Sequence, residues 1–334
     1  MFAGSDGRER RQGLAKLAFV ALTLAGLVLA GTAGPLAGQG AAALQASCAG
    51  SASAAVQTTC ADAALAALAL QHGYGVVLAA GGPVPASPST AGNRLQGSPR
   101  WVVDLGMGWS TFQRPDLTDS QRRVRRAVAA SPRLSVVAGV FEGFAPAATV
   151  GGVGAVDLVG EFRLVPLPVM DGASGRVASW GAGARIGVVR ESFTFPGVTL
   201  TFMHRRAGSI EYGGETPPVA TAEIQPRVSS IRAVVGKDLW EIGVSGGMQW
   251  DRIRGDARAS AQVGGQEFRS GSVALPASRS TLFVGLNRTW VVTQLTGELG
   301  WTPAAGSGGG IEGTGPYRDP GSGITGALSF RITY

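Results

Sequence analysis

The stretch Trp240-Glu-Ile-Gly-Val-Ser-Gly-Gly-Met-Gln-Trp-Asp251 decides how this chain is read. Laid out as a strand, it puts Trp240, Ile242, Val244, Met248 and Trp250 on one face and Glu241, Ser245, Gln249 and Asp251 on the other. Side chains alternate faces along a strand, so a strand sorts these residues cleanly, whereas a helix mixes them. The two tryptophans stand ten residues apart on the apolar face. At a tilt near 40° that separation rises about 25 Å, the height of the apolar band of a membrane-crossing strand.

The same alternation recurs on both sides of this stretch. Trp101, Val103, Leu105, Met107 and Trp109 oppose Asp104, Gly106, Gly108 and Ser110. Residues 134–144 repeat the pattern, and Val156, Leu158, Phe162 and Leu164 oppose Asp157, Glu161 and Arg163. Trp180 to Val188 alternate with Arg185 and three glycines, and short runs follow at 198–202 and at 231–235 around Arg232. The last three runs are 282–286, 291–301 and 324–334. The count is ten strands, within a range of eight to twelve. The fold class is therefore all-β, an antiparallel transmembrane β-barrel over residues 100–334.

The connections alternate in length, long at 114–131, 166–176, 206–226 and 303–322, and short at 145–152, 192–197, 237–238 and 287–289. Ala261 to Phe268 reads as a hairpin turning at Gly264-Gly265. Short periplasmic turns against long outer loops are the rule for such barrels, and an even strand count leaves both ends in the periplasm. On that topology Trp101, Phe144, Trp240, Trp290 and Tyr334 lie at the periplasmic ends, and Trp109, Trp180, Trp250 and Trp301 toward the outer ends. Two aromatic girdles result. A soluble sandwich would have to bury this Trp-rich face.

Ahead of the barrel, residues 1–40 read as a signal peptide: Arg8, Arg10, Arg11 and Lys16, an apolar run Leu17–Ala30, then a Gly/Ala/Pro-rich stretch. The alternative is a retained anchor helix. Cys48 is a poor lipoprotein site, because Gln45-Ala46-Ser47 lacks the apolar residue three before it. Residues 41–99 are a pre-barrel segment with only two charges, Asp62 and Arg94. Its Ala61–Leu70 part favours helix, and its Gly81–Thr90 part reads as linker. Past residue 47 no apolar stretch reads as a spanning helix. Cys48 and Cys60, the only cysteines, are expected to pair in an oxidising periplasm, with two free thiols as the alternative. So apolar a helix belongs inside the barrel as a plug or against its periplasmic mouth.

The ending Ala327-Leu-Ser-Phe-Arg-Ile-Thr-Tyr334 resembles the C-terminal signal of Gram-negative outer-membrane barrels. Leu328, Phe330, Ile332 and Tyr334 are its alternating apolar positions, and Tyr334 stands where family members most often end in Phe. The resemblance implies recognition by the barrel-assembly machinery and names no subfamily.

Inward positions gather Asp104, Asp157, Glu161, Glu191, Glu241, Asp251 and Glu298 with Arg163, Arg185, Arg232 and Arg331. Buried unpaired charge is costly, so these are expected to pair. Two outcomes stay open, a salt-bridged closed interior or a narrow polar, porin-like pore. A plugged transporter of small apolar molecules is a third. The chain is basic, with a net charge of +7, and its arginines are spread along it without a nucleic-acid-binding motif, so nucleic acid is not an expected partner. Arg114, Arg122, Arg123, Arg125, Arg126, Arg205, Arg206, Arg252, Arg254, Arg258, Arg269 and Arg279 are read onto outer loops. Arginine forks bind phosphate, so outer-membrane lipid, with lipopolysaccharide phosphate, is the expected contact. No catalytic, metal or cofactor site is expected. Omptin proteases need an Asp-His couple that His204-Arg-Arg lacks, and the His-x-Ser unit of outer-membrane lipid hydrolases is missing at both His72 and His204.

Overall fold

The computed structural model describes residues 36–92, 99–117, 124–146, 151–167, 176–193, 195–214, 218–239, 241–304 and 321–333. Among the described residues two helices, α1 (Leu36–Ala49) and α2 (Ala54–Ala79), precede the strands. The strands are β1 (Trp101–Pro115), β2 (Val124–Phe141), β3 (Ala155–Pro166), β4 (Arg176–Val189), β5 (Gly197–Ala207), β6 (Ile210–Gly213), β7 (Val219–Leu239), β8 (Ile242–Val263), β9 (Gln266–Arg269), β10 (Val273–Ala274), β11 (Ala277–Trp290), β12 (Thr293–Thr302) and β13 (Gly323–Thr333).

Ten of them are staves of a closed antiparallel barrel, in the order β1-β2-β3-β4-β5-β7-β8-β11-β12-β13. The ring shuts where β1 pairs with β13 from Val102↔Thr333 to Ser110↔Thr325. β6 extends β5 along β7, and β9 and β10 lie along the outer part of β8. All ten runs read from the sequence are staves. At the seam Trp109 covers Gly326, whose missing side chain leaves room for the indole; a Cβ there would lie 2.3 Å from Trp109 Cε2.

One end of the barrel is compact. Its turns lie between β2 and β3, β4 and β5, β7 and β8, and β11 and β12, and the chain enters at Trp101 and leaves at Thr333 beside them. At the other end the strands run on. β1 and β2 stay paired out to Pro115↔Val124, and β7 and β8 pair from Leu239↔Ile242 to Val219↔Gln262. Much of what reads as long loop at 114–131 and 206–226 is therefore strand. A membrane-crossing strand needs about 9–11 residues, so the 21 residues of β7 and 22 of β8 project well past an apolar band. Gly264 and Gly265, both at positive φ (60° and 81°), close the β8–β9 hairpin, where Val263 pairs with Gln266.

The projecting part inverts the period-two rule. Below Trp250, β8 turns Ile242 and Val244 outward and Ser245 and Gln249 inward. Above it, Arg252, Arg254, Asp256 and Arg258 face out, while Ile253, Ala257, Ala259 and Ala261 are buried inside. β7 does the same, with Ile231 out and Arg232 in below, and Ala220, Ala222 and Ile224 in above. The physical reason is a change of surroundings on both sides. Outside, an apolar medium gives way to water; inside, a polar lumen gives way to a helix.

That helix is α2. From Ala63 to Ala79 every residue is buried, all the way round, as expected of a helix enclosed on every side. The sequence reads helix over Ala61–Leu70 and no spanning-length helix. The element is in fact 26 residues long and apolar enough by length and composition to cross a membrane, but it sits inside the barrel. A ten-stranded barrel is only slightly wider than one filled by side chains, so both surfaces are whittled to Ala and Gly. Wall residues Ala129, Ala207, Ala222, Ala257 and Ala277 face a helix rich in alanine. Gly73 lies under the Phe112 ring and Gly75 under Ile253. α1 packs beside α2 at the projecting end, against β8, β9 and β10, and is tied to it by a Cys48–Cys60 disulfide. Of the 1–40 segment, residues 1–35 lie outside the described residues, and α1 takes up the last five.

A Cβ on Gly73 would sit 2.3 Å from the Phe112 ring. Gly73→Val is expected to destabilise the folded protein by about 1–3 kcal/mol through overpacking. Gly160→Ala, with open space around it, is expected to be neutral. Thermal unfolding of detergent-folded protein measures both, and equal midpoints would place α2 elsewhere than the lumen.

Candidate functional site

The residues from Ala80 to Gly92 run down the lumen from the end of α2 to the compact mouth, and the inward side chains of the staves close on them. A helix leaves its last carbonyls without intrahelical donors, and an irregular segment leaves most of its own exposed. Inside a protein each needs a partner. Arginine, with five donors on a rigid fork and a permanent charge, suits this task.

Arg163 on β3 takes the helix end. It donates to Ala80 O from both terminal nitrogens at 3.1 Å, to Val77 O at 3.4 Å and to Gly82 O at 3.3 Å. The cation therefore also meets the negative end of the helix dipole. Its counterion is Glu161, two residues back on the same face, at 2.7 Å from Nε. Glu161 is shared with Arg205 of β5 at 2.6 Å, and Arg205 reaches Ser230 Oγ at 2.9 Å. Arg133 donates to Gly82 O and pairs with Asp104 at 3.1 Å.

Gln249 also meets the helix end: it donates to Ala79 O at 3.1 Å and to Asp251 at 3.0 Å, and accepts from Arg232 at 2.9 Å. Arg232 also pairs with Glu298, which accepts the Ala86 N–H at 3.1 Å. Arg185 and Arg331 both reach Ser87, on its Oγ at 3.0 and 2.9 Å, and Arg185 also donates to its carbonyl. Arg331 further donates to Gln294. Asp157 accepts the Ala91 N–H at 2.9 Å and the Gly92 N–H at 3.4 Å. Gly285 makes way for Ala86, which would meet a Cβ there at 2.3 Å.

Asp104, Asp157, Glu161, Arg163, Arg185, Arg232, Asp251, Glu298 and Arg331 thus converge on one neutral segment. Glu241 does not. It is exposed in the β7–β8 turn, paired with Arg288 at 3.2 Å, because the strand begins one residue later, at Ile242. Glu191 also sits at a turn rather than mid-lumen. There it accepts the Asp238 N–H at 2.6 Å, and partial burial pushes its carboxyl above the ordinary range. With Arg100, Glu142, Arg190, Lys237 and Asp238 it lines a cavity of about 880 Å³ at the compact mouth.

Arg114, Arg205 and Arg279, read from the sequence onto outer loops, are instead buried inside. Arg114 lies over the Tyr212 ring at 4.7 Å. Those segments are strand, so parity decides which way they face. Arg122 and Arg123 lie outside the described residues. Sequence reasoning missed Arg133 and Gln249 as plug contacts. The signal for Arg133 was parity, since it stands two before inward Ser135 and opposite outward Leu134.

Outward, Trp101, Trp180, Trp290 and Trp301 are exposed, Trp109 and Trp250 half-buried. Leu328, Phe330 and Ile332 alternate on the outer face of β13, the stave that pairs with both β12 and β1. Trp240 and Tyr334 lie outside the described residues. His72 is buried in α2 and His204 faces outward on β5, 3.0 Å from Ser229 Oγ, on opposite sides of the wall. No metal-holding group of three or more acidic, His or Cys side chains occurs among the described residues.

The architecture is that of outer-membrane β-barrels. The fold is similar to the translocator domain of the autotransporter NalP from Neisseria meningitidis, at 11% identity and TM-score 0.41, covering 70% of this chain and 88% of that one. The transport unit of AIDA-I from Escherichia coli matches at 8% identity and TM-score 0.38, covering 80% and 99%. Ail of Yersinia pestis, solved with a heparin analogue, matches at 8% and 0.30, covering 71% and 99%. The sequence itself matches no known protein-family profile and no curated protein.

Arg163→Met is expected to cost about 3–5 kcal/mol, since it strips the helix end and leaves one partner of a buried ion pair behind. Arg206→Met, on the same sheet but facing outward, is expected to cost less than about 0.5 kcal/mol. Urea unfolding of the two variants compares them, and equal losses would remove Arg163 from its central place.

Proposed function

We propose that this chain is an outer-membrane protein whose resting lumen is closed by its own N-terminal segment, so that it serves as a structural or surface-binding barrel rather than an open porin. The observation that carries this is the occupancy of the lumen. α2 is buried on every side in the projecting half, and residues 80–92 are held by charge-assisted hydrogen bonds in the other.

The outer wall supports a membrane setting. Leu105, Leu158, Leu286 and Leu328 are each more than half exposed on β1, β3, β11 and β13, and Trp180, Phe202, Ile231 and Val244 are exposed on β4, β5, β7 and β8. Such a surface suits lipid and not water. A signal peptide within residues 1–40 fits this setting, and cleavage upstream of Leu36 would leave α1 whole. The alternating Leu328, Phe330 and Ile332 on the closing stave suit recognition by the barrel-assembly machinery. We propose no catalytic role: among the described residues the two histidines stand apart, His72 buried in α2 and His204 on the outer face of β5.

Purified full-length protein in planar bilayers is expected to show no steady ion conductance. Lasting open channels from the unaltered protein would overturn the closed reading. The topology has its own readout. A cysteine at exposed Ser51, between α1 and α2, should react with a membrane-impermeant maleimide on intact cells. A cysteine at Val291, in the β11–β12 turn, should react only after the outer membrane is opened.

A further inference from the structure

Just above the lipid-facing band, the outer wall between β4 and β8 changes character row by row. Cross-strand pairing sets Ala184, Phe202, Ile231 and Trp250 side by side in one row. The next row outward is Ala182, His204, Ser229 and Arg252. The row after that is Trp180, Arg206, Arg227 and Arg254. Three arginines are thus direct neighbours on one outward face. Like charges placed opposite each other across a sheet are destabilising. Only Arg227 has an acidic partner among the described residues, Asp256 at 3.2 Å. Arg206, Arg252 and Arg254 are exposed and make no ion pair there. Where the side chains beneath them are small, at Ala182, Gly183, Ala184 and Ser229, the wall is dented into a groove of about 640 Å³. Phe202, Ile231 and Trp250 form its apolar lower side, and His204, Arg252 and Arg254 its polar upper side.

We propose that this groove binds the phosphorylated head of an outer-leaflet glycolipid, the bisphosphorylated lipid A part of lipopolysaccharide. The occupant follows from the arrangement. Its lower part must be apolar to lie against Phe202 and Trp250, and its upper part must carry enough negative charge to hold the neighbouring guanidinium groups together. Arginine forks donate to phosphate oxygens in pairs, and an anion between them turns the like-charge row from a liability into a binding surface. An ordinary zwitterionic phospholipid offers one phosphate and brings its own cation. The proposal rests on the membrane setting argued above and names a site for it.

The test uses the full-length protein in detergent, titrated with bisphosphorylated lipid A, its dephosphorylated form, phosphatidylethanolamine and inorganic phosphate. Native mass spectrometry or thermophoresis reads the affinity. The unaltered protein is expected to prefer bisphosphorylated lipid A at least tenfold over the dephosphorylated form and over phosphatidylethanolamine. The Arg206→Gln/Arg252→Gln/Arg254→Gln variant should lose at least tenfold in affinity. Arg258→Gln/Arg269→Gln, farther out toward the hairpin, should stay within twofold. All these positions face solvent, and a heat-shifted gel band verifies that each variant is folded. Equal binding by the triple variant, or no preference for phosphate, would overturn the proposal. Displacement by low-millimolar inorganic phosphate would overturn its commitment to a lipid. Failure of the membrane reading shows separately, as protein that does not insert into liposomes.

Discussion

The width of the lumen governs the rest of the structure. Ten staves enclose a space only a little larger than side chains alone can fill, and this chain puts a whole helix into it. That is possible only if helix and wall give up bulk where they meet. Gly73 under Phe112, Gly75 under Ile253 and the inward alanines of β7 and β8 are the result. The composition follows from the same limit. The alanine-rich pre-barrel segment and close-approach glycines such as Gly73, Gly75 and Gly285 are what a filled narrow barrel requires. Below the helix a short irregular segment of turns and bends takes its place, and there the wall can afford long arginines.

The filled lumen also explains why the alternation of the strands changes sign. A membrane barrel with a wet interior keeps apolar residues out and polar residues in along its full height. Here the rule holds only up to Trp250 and Phe202. Above them the projecting strands resemble a soluble domain wrapped round a helix, with Arg252, Arg254 and Arg258 outside and Ile253, Ala257 and Ala259 inside. One β-sheet thus spans two environments, and the outer girdle marks the boundary.

The ten staves and the Gly264-Gly265 turn were legible because period-two alternation is local and strong in strands such as β8. The route of the pre-barrel segment was not. An alanine helix carries no face that says what covers it, so plug and periplasmic cap read alike from residues 41–99. The projecting strands were taken for loops because their inward residues are alanines and their outward ones charged, a pattern with no apolar band to notice. That error carried Arg205 and Arg279 to the wrong side of the wall. Glu241 failed for a smaller reason, since a strand boundary one residue off exposes a side chain that parity would bury.

The charges below the helix make a further point about what the lumen is for. Arg133, Arg163, Arg185, Arg205, Arg232 and Arg331 face Asp104, Asp157, Glu161, Asp251 and Glu298. The segment they surround, Gly81 to Gly92, carries no charge at all. The groups must therefore neutralise one another, and the one excess cation meets the negative end of α2 through Arg163. A filter for anions or cations needs a surplus of one sign along its path. This set has almost none, and its donors point at the carbonyls of residues 77–87 rather than along the axis. The lumen is polar because a length of irregular backbone has to be satisfied inside it, and these paired charges meet that requirement.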